Sequence, residues 1–232
     1  TTRRGRASDS EPKLTDVARH VILPEGIVST GWPPVRKRLE EMGTHFDRWQ
    51  DDLGRCFLAK RADGSYASGI DGIDMSIPRQ VGKTFIIGRT TFALCSLTAD
   101  LLALWTAHRT RTADETFREM QGIAALPKVA PYVDGVRAAN GQQEIRFNNG
   151  SRILFGARES GFGRGFTKVS ILVFDEAQIL GMKALEDMIP ATNAAANPLI
   201  FKIGTPPRPI DPGEAFGQAR KEALAGERSD GM

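Results

Sequence analysis

Three stretches of this chain are apolar without alternation: DLLALWTAH (100–108), the front of VSILVFDEAQ (169–178) and PLIFKIGTPP (198–207). A strand with one face in water alternates apolar and polar residues, so a run without alternation reads as a strand buried on both faces. Such strands need helices above and below, and helical patterns lie between them. Lys83 to about Thr98 has Phe85, Ile86, Phe92 and Leu94 at helical spacing. TADETFREMQGI (112–123) offers Thr112 as an N-cap with Glu115 three residues on, a capping box. Strands alternating with helices predict an α/β fold with a mostly parallel sheet covered on both faces.

The remaining pattern fits around that frame. VRKRLEEMGTHFDRWQDDLGRCFLAK (35–60) reads as two helices divided at Gly43 and Thr44, and 71–77 as a short strand. QEIRFNNGSRILFGA (143–157) reads as a β-hairpin, with Asn149-Gly150 supplying a tight turn. Residues 1–35 are polar, with Arg3, Arg4 and Arg6 early and Pro33-Pro34 late, and read as a flexible arm ahead of a single domain at 36–232. The chain starts without Met and stops at GERSDGM, so both ends read as cuts from something longer.

Composition excludes more than it assigns. Net charge is only +3, from 31 basic and 28 acidic residues, so contact with nucleic acid has to be argued from local sites. Cys56 and Cys95 form no metal-type pair and only three histidines are present, which fits a reducing cytoplasm and no structural zinc. The most apolar region, 92–105, is interrupted by Ser96, Thr98 and Asp100, and is not a membrane span.

Ligands of open α/β sheets gather at the carboxyl ends of the strands. Arg79 to Thr84, His108 to Arg111, Asp175-Glu176 and Gly204-Thr205 all fall there. In IPRQVGKT (77–84), Gly82-Lys83-Thr84 lies between a strand and a helix, where backbone N–H groups bind phosphate oxygens. Lys83 can then reach the outer phosphates and Thr84 can hold Mg²⁺. The glycine that usually opens such a loop is replaced by Ile77, and Arg79 sits inside it. Downstream, four apolar residues lead into Asp175, which can hold Mg²⁺, and Glu176, which can orient and deprotonate an attacking water. Upstream, FDRWQDD (46–52) places Gln50 beside Trp49. Gln50 either reads an adenine edge or is an exposed helical glutamine next to a core tryptophan.

Taken in order, Gln50, RQVGKT, the apolar strand with DEAQ, and GTPPRP resemble the ATPase domain of a tailed-phage large terminase, the motor that pumps DNA into a procapsid. WTAHRTRTADETF (105–117) and GRGF (163–166) are similar to further segments of that family, and the likeness runs over roughly 45–225. It implies a three-layer P-loop NTPase of the ASCE type, with ATP and Mg²⁺ as cofactors. Gln50, Arg79, Gln80, Val81, Gly82, Lys83 and Thr84 would bind ATP, Thr84 and Asp175 the metal, and Glu176 would be the catalytic carboxylate. Arg79 would act on the γ-phosphate in its own subunit, and Arg164 as a finger supplied to a neighbour, or else only as a brace for its glycine-rich loop. Gly204, Thr205 and Pro206 match the coupling motif, although Thr205 could simply terminate a strand. Arg109 and Arg111 either touch DNA or form a solvated loop.

The implied partners are double-stranded DNA, a homo-oligomeric ring on a portal and a small terminase subunit, in the host cytoplasm during virion assembly. A monomeric isolated domain is also compatible, and the family's C-terminal nuclease domain is expected outside this chain. Two other readings share these motifs: a helicase-like or restriction-type DNA motor, and a nucleotide-gated assembly module with little turnover.

Overall fold

The computed structural model describes residues 11–139 and 141–226. In chain order its elements are α1 (Leu14–Val17), β1 (Ser29–Thr30), α2 (Trp32–Glu41), α3 (Arg48–Phe57), β2 (Ala59–Lys60), β3 (Ile73–Ser76), α4 (Lys83–Leu97) and β4 (Leu102–Ala107). Then follow α5 (Thr110–Ala124), β5 (Val133–Arg137), β6 (Gln143–Phe147), β7 (Arg152–Ala157), β8 (Ile171–Phe174), α6 (Met182–Met188), β9 (Leu199–Gly204) and α7 (Glu214–Ala225).

Seven strands form one sheet in the order β3-β9-β8-β4-β7-β6-β5. The first five run parallel, and β6 and β5 close the far edge antiparallel. The unalternating apolar runs become β4, β8 and β9, every residue of which is buried. Strand β4 shows why. Ala103 and Trp105 enter one core with Phe92 of α4 and Phe117 of α5, while Leu102 and Leu104 enter a second with Leu185 of α6 and Phe216 of α7. Successive strand side chains point to opposite faces, so a strand serving two cores is apolar on both, and its few polar residues are partnered, Thr106 with the Val173 carbonyl (3.0 Å) and Lys202 with Asp74 (2.8 Å).

The hairpin at 143–157 is present, with a different turn. Phe147 N–H donates to the Ser151 carbonyl, leaving Asn148, Asn149 and Gly150 as a three-residue loop. Gly150 alone adopts positive φ (+85°), the arrangement of a three-residue hairpin rather than the two-residue Asn-Gly turn.

Two further expectations meet a different arrangement. Helix α5 starts three residues earlier than its capping box suggests: its N-cap is Arg109, and Glu115 pairs with Arg111 (2.9 Å) rather than closing a box with Thr112. The arm expected at 1–35 falls partly outside the described residues, Arg3, Arg4 and Arg6 included. Residues 11–35, by contrast, carry α1, β1 and the start of α2. Trp32 is 1% exposed, its ring stacks with Phe46, and its indole N–H donates to Asp51 Oδ1 (2.7 Å). Pro33-Pro34, a signal for irregular chain, occupies the first turn of α2, where the missing N–H breaks no helical hydrogen bond.

Candidate functional site

The loop between β3 and α4 begins as strand. Ile77 N–H donates to the Gly204 carbonyl of β9 (3.1 Å), so the position that usually holds glycine is a continuation of the ladder. The left-handed backbone comes later, at Gln80 (φ +62°) and Gly82 (φ +85°), and Gly82 is the N-cap of α4. The first N–H groups of a helix have no intrahelical acceptor, and here they face a loop whose outer residues, Arg79, Gln80 and Val81, are exposed. The Lys83 ammonium folds back over this loop and donates to the carbonyls of Pro78 (2.9 Å) and Ile77 (3.2 Å). Burial holds it below the usual lysine range; Asp175 opposes that shift and Arg79 reinforces it.

Asp175 follows β8 directly, with its N–H donating to the Thr106 carbonyl of β4 (2.8 Å). Its Oδ1 accepts the Glu176 N–H (2.8 Å). Burial is the main cause that pushes the Asp175 carboxyl up to about 6; the Glu176 N–H and Arg158 hold it down, and the Glu176 charge adds to the rise. Glu176 itself sits at φ +55°, in the left-handed region that non-glycine residues rarely occupy. That geometry turns its side chain toward the loop after β4. There Oε2 accepts the His108 N–H (3.2 Å) and Oε1 meets the Thr112 hydroxyl (3.4 Å).

Sheet order explains the convergence. The Lys83 loop follows β3, the 204–206 segment ends β9, and Asp175-Glu176 ends β8, three neighbouring parallel strands. The coupling candidates therefore stand between the phosphate loop and the acids. Gln178, in the 3-10 turn after Glu176, ties the last two together. Its Oε1 accepts the Thr205 N–H (3.1 Å) and its carbonyl accepts the Gly213 N–H (3.0 Å). A Cβ at Gly204 would lie 2.7 Å from Gln178 Oε1, so this contact requires glycine.

Other candidates have partners of their own. Arg164 donates from Nε (3.1 Å) and Nη2 (2.8 Å) to a single oxygen, Asp187 Oδ2 of α6, on a loop where Gly161, Gly163 and Gly165 all have positive φ. Arg109 holds the N-cap position of α5 without a side-chain cap bond, and Arg111 is exposed and paired with Glu115. Gln50 completes the capping box of α3, its Oε1 accepting the Asp47 N–H (3.0 Å). Its neighbour Trp49 lines an apolar cavity of about 890 Å³, shared with Leu14, Ile77, Pro78, Val81 and Leu224, along the outer edge of β3.

Two residues with no sequence-level assignment belong to the site. Arg158, just past β7, donates from Nη1 to the Thr106 carbonyl (2.9 Å) and hydroxyl (3.0 Å), and from Nη2 to the Asp175 carbonyl (2.8 Å). Burial brings its guanidinium down to about 10, against the pull of Asp175 and Glu176. Nothing in GARES signals this, because its partners are mostly backbone carbonyls brought near only by strand order. Gln178 did carry a signal, as the last residue of DEAQ.

The Thr84 hydroxyl and the Asp175 carboxylate are hard oxygen donors of the kind that could hold Mg²⁺. Among the described residues no cluster of three or more His, Cys, Asp or Glu could hold a metal unaided. Nor is any helix among them long and apolar enough to cross a membrane.

No protein-family model and no curated protein matches the chain. Among solved structures, the large terminase of bacteriophage HK97 is similar with a TM-score of 0.65 at 17% identity, covering 88% of this chain and 43% of that one. The chain thus spans less than half the length of that protein. The ATPase domain of the large terminase of Thermus phage P74-26 is similar with a TM-score of 0.53 at 16% identity, over 75% of this chain and 70% of that domain. A mutant form of that domain gives a TM-score of 0.57 at 13% identity, over 76% and 71%. At these identities the likeness speaks for the fold alone, and the chain is similar in fold to the ATPase domain of that phage large terminase.

Proposed function

We propose that this chain is the ATPase motor domain of a viral terminase large subunit, which hydrolyses ATP to drive double-stranded DNA into a procapsid. The observation that supports this most is the meeting of Lys83, Asp175-Glu176 and Thr205 at the carboxyl ends of three adjacent parallel strands. In this reading the α4 N-terminus and Lys83 hold the β- and γ-phosphates, the ammonium exchanging its two loop carbonyls for phosphate oxygens. Thr84 and Asp175 hold Mg²⁺, which would neutralise charge on the phosphate oxygens.

Glu176, with one carboxylate oxygen held by the His108 amide, takes on the other the proton of the water that attacks the γ-phosphate, and ADP leaves. Arg79, exposed on the loop, reaches the γ-phosphate in the same subunit, and Gln80, Val81 and Gly82 supply backbone contacts. Trp49 and the apolar cavity give a purine ring a place to lie, with the Gln50 carboxamide nitrogen reading its edge. Arg164 serves a neighbouring subunit of a homo-oligomeric ring on a portal, and Arg109 and Arg111 meet DNA phosphates. The small terminase subunit and a nuclease domain complete the machine in the host cytoplasm.

The test is phosphate release by the purified chain, with and without double-stranded DNA, beside nucleotide binding. Wild type should turn over Mg-ATP, whereas Glu176→Gln should bind it as well and hydrolyse it about 100-fold or more slowly. Turnover at the wild-type rate in that variant would remove Glu176 as the base.

A further inference from the structure

Glu176 owes its orientation to the turn after β4, since the His108 N–H is its closest donor. What holds that turn comes from a distant segment. Glu159 N–H donates to the His108 carbonyl (3.2 Å). The Glu159 carboxylate accepts from the Thr110 N–H (2.8 Å) and hydroxyl (3.2 Å). Thr110 is the first residue of α5, whose own N-cap, Arg109, offers no side-chain acceptor. Glu159 therefore caps a helix from 49 residues away in sequence, and a carboxylate is the favoured group at that positive end. One residue earlier, Arg158 spans the ends of β4 and β8 through the Thr106 and Asp175 carbonyls.

We infer that Arg158 and Glu159 form a two-residue clasp that positions Glu176 for catalysis, a role that rests on the ATPase reading above. Arg158 fixes the separation of the two strand ends, and Glu159 fixes the turn whose amide directs the carboxylate. Neither touches the reacting atoms; both are positioning residues. The Glu159 carboxyl lies below its usual range, chiefly because of the Thr110 N–H bond, so it is charged and holding at neutral pH. A group displaced by about 1 Å can lose about 100-fold in rate while leaving ground-state binding intact, which sets the expected signature.

The test uses Glu159→Ala, an exposed substitution expected to fold, beside Arg158→Lys and Arg158→Met. For Glu159→Ala, kcat should fall about 10- to 100-fold with affinity for a fluorescent ATP analogue unchanged within about 2-fold. Arg158→Lys, which keeps a cation donor, should retain more activity than Arg158→Met. Amide hydrogen exchange supplies a readout independent of turnover, and His108 and Thr110 should exchange faster in Glu159→Ala than in wild type. Faster exchange with lower kcat supports the clasp. Unchanged exchange at both amides, or faster exchange with wild-type kcat, overturns it. Failure of the wild-type chain to hydrolyse ATP would count against the ATPase reading instead, leaving the exchange experiment to decide whether the clasp exists.

Discussion

Asp175 is a residue whose neighbours make its charge costly. Burial pushes its carboxyl up to about 6 in the folded chain, well above the usual range of an aspartate in an unfolded one. Between those values the folded protein binds more protons than the unfolded. Stability therefore falls as pH rises through that window, and the penalty is fully present above it. Without Mg²⁺ or nucleotide, Asp175→Asn should raise unfolding stability by about 1–3 kcal/mol at pH 7.5 and by almost nothing at pH 4. Denaturant titrations at the two pH values check this, and equal gains at both would contradict it.

The burial of Asp175 was legible in ILVFDE, where an apolar run leads into the acid. Lys83 and Thr84 were legible as candidates, since residue type at fixed spacing marks them. Arg158, Glu159 and the particular partners of Gln178 were not. Their roles consist of bonds to backbone groups such as the Thr106 carbonyl and the Thr110 and Thr205 amides, and backbone groups look alike in every sequence.

At the scale of elements, the apolar runs gave up their strands because a strand serving two cores tolerates little else. Helix boundaries were harder to read. Trp32 and Pro33-Pro34 looked like the end of an arm, yet they open α2, because the indole packs flat against α3 at Gly54. A Cβ at Gly54 would lie 2.5 Å from the Trp32 ring. Gly54→Ala gains about 1 kcal/mol of helix propensity but forces a rigid ring out of place, so a net loss of about 1–2 kcal/mol is expected. Equilibrium unfolding measures it. A stabilised variant would mean that the ring has room to move and that residues 11–35 are held less firmly than their contacts suggest. The edge strand β5 was missed for a different reason. Its pattern is mostly exposed, so it carries little of the alternation that marks a half-buried strand.

For the molecule as a whole, the informative feature is the Arg164–Asp187 pair. Arg164 has a side chain 61% exposed and is held by its own α6 rather than aimed at Lys83 or Asp175. A surface pair of this kind contributes little stability and can be exchanged for another anion. If Arg164 serves a neighbouring subunit, mixing two inactive variants should restore turnover. Arg164→Ala keeps an intact site and Glu176→Gln keeps an intact arginine, so mixed rings contain complete sites. Phosphate release from the mixture should exceed the sum of the separate variants several-fold and rise faster than linearly with total protein. A strictly additive mixture would confine Arg164 to bracing its loop.

The position of β9 has a consequence of scale. Neighbouring strands lie about 4.8 Å apart, so the strands that launch the Lys83 loop and the Asp175 carboxylate are separated by about 10 Å. The Lys83 and Asp175 side chains reach into that space from either side, near enough for the carboxylate to act on the ammonium. Any ligand that does bridge it must lie across the end of β9, over the Thr205 backbone that Gln178 holds. Binding and the reporting of occupancy would then fall to the same few ångströms of strand end.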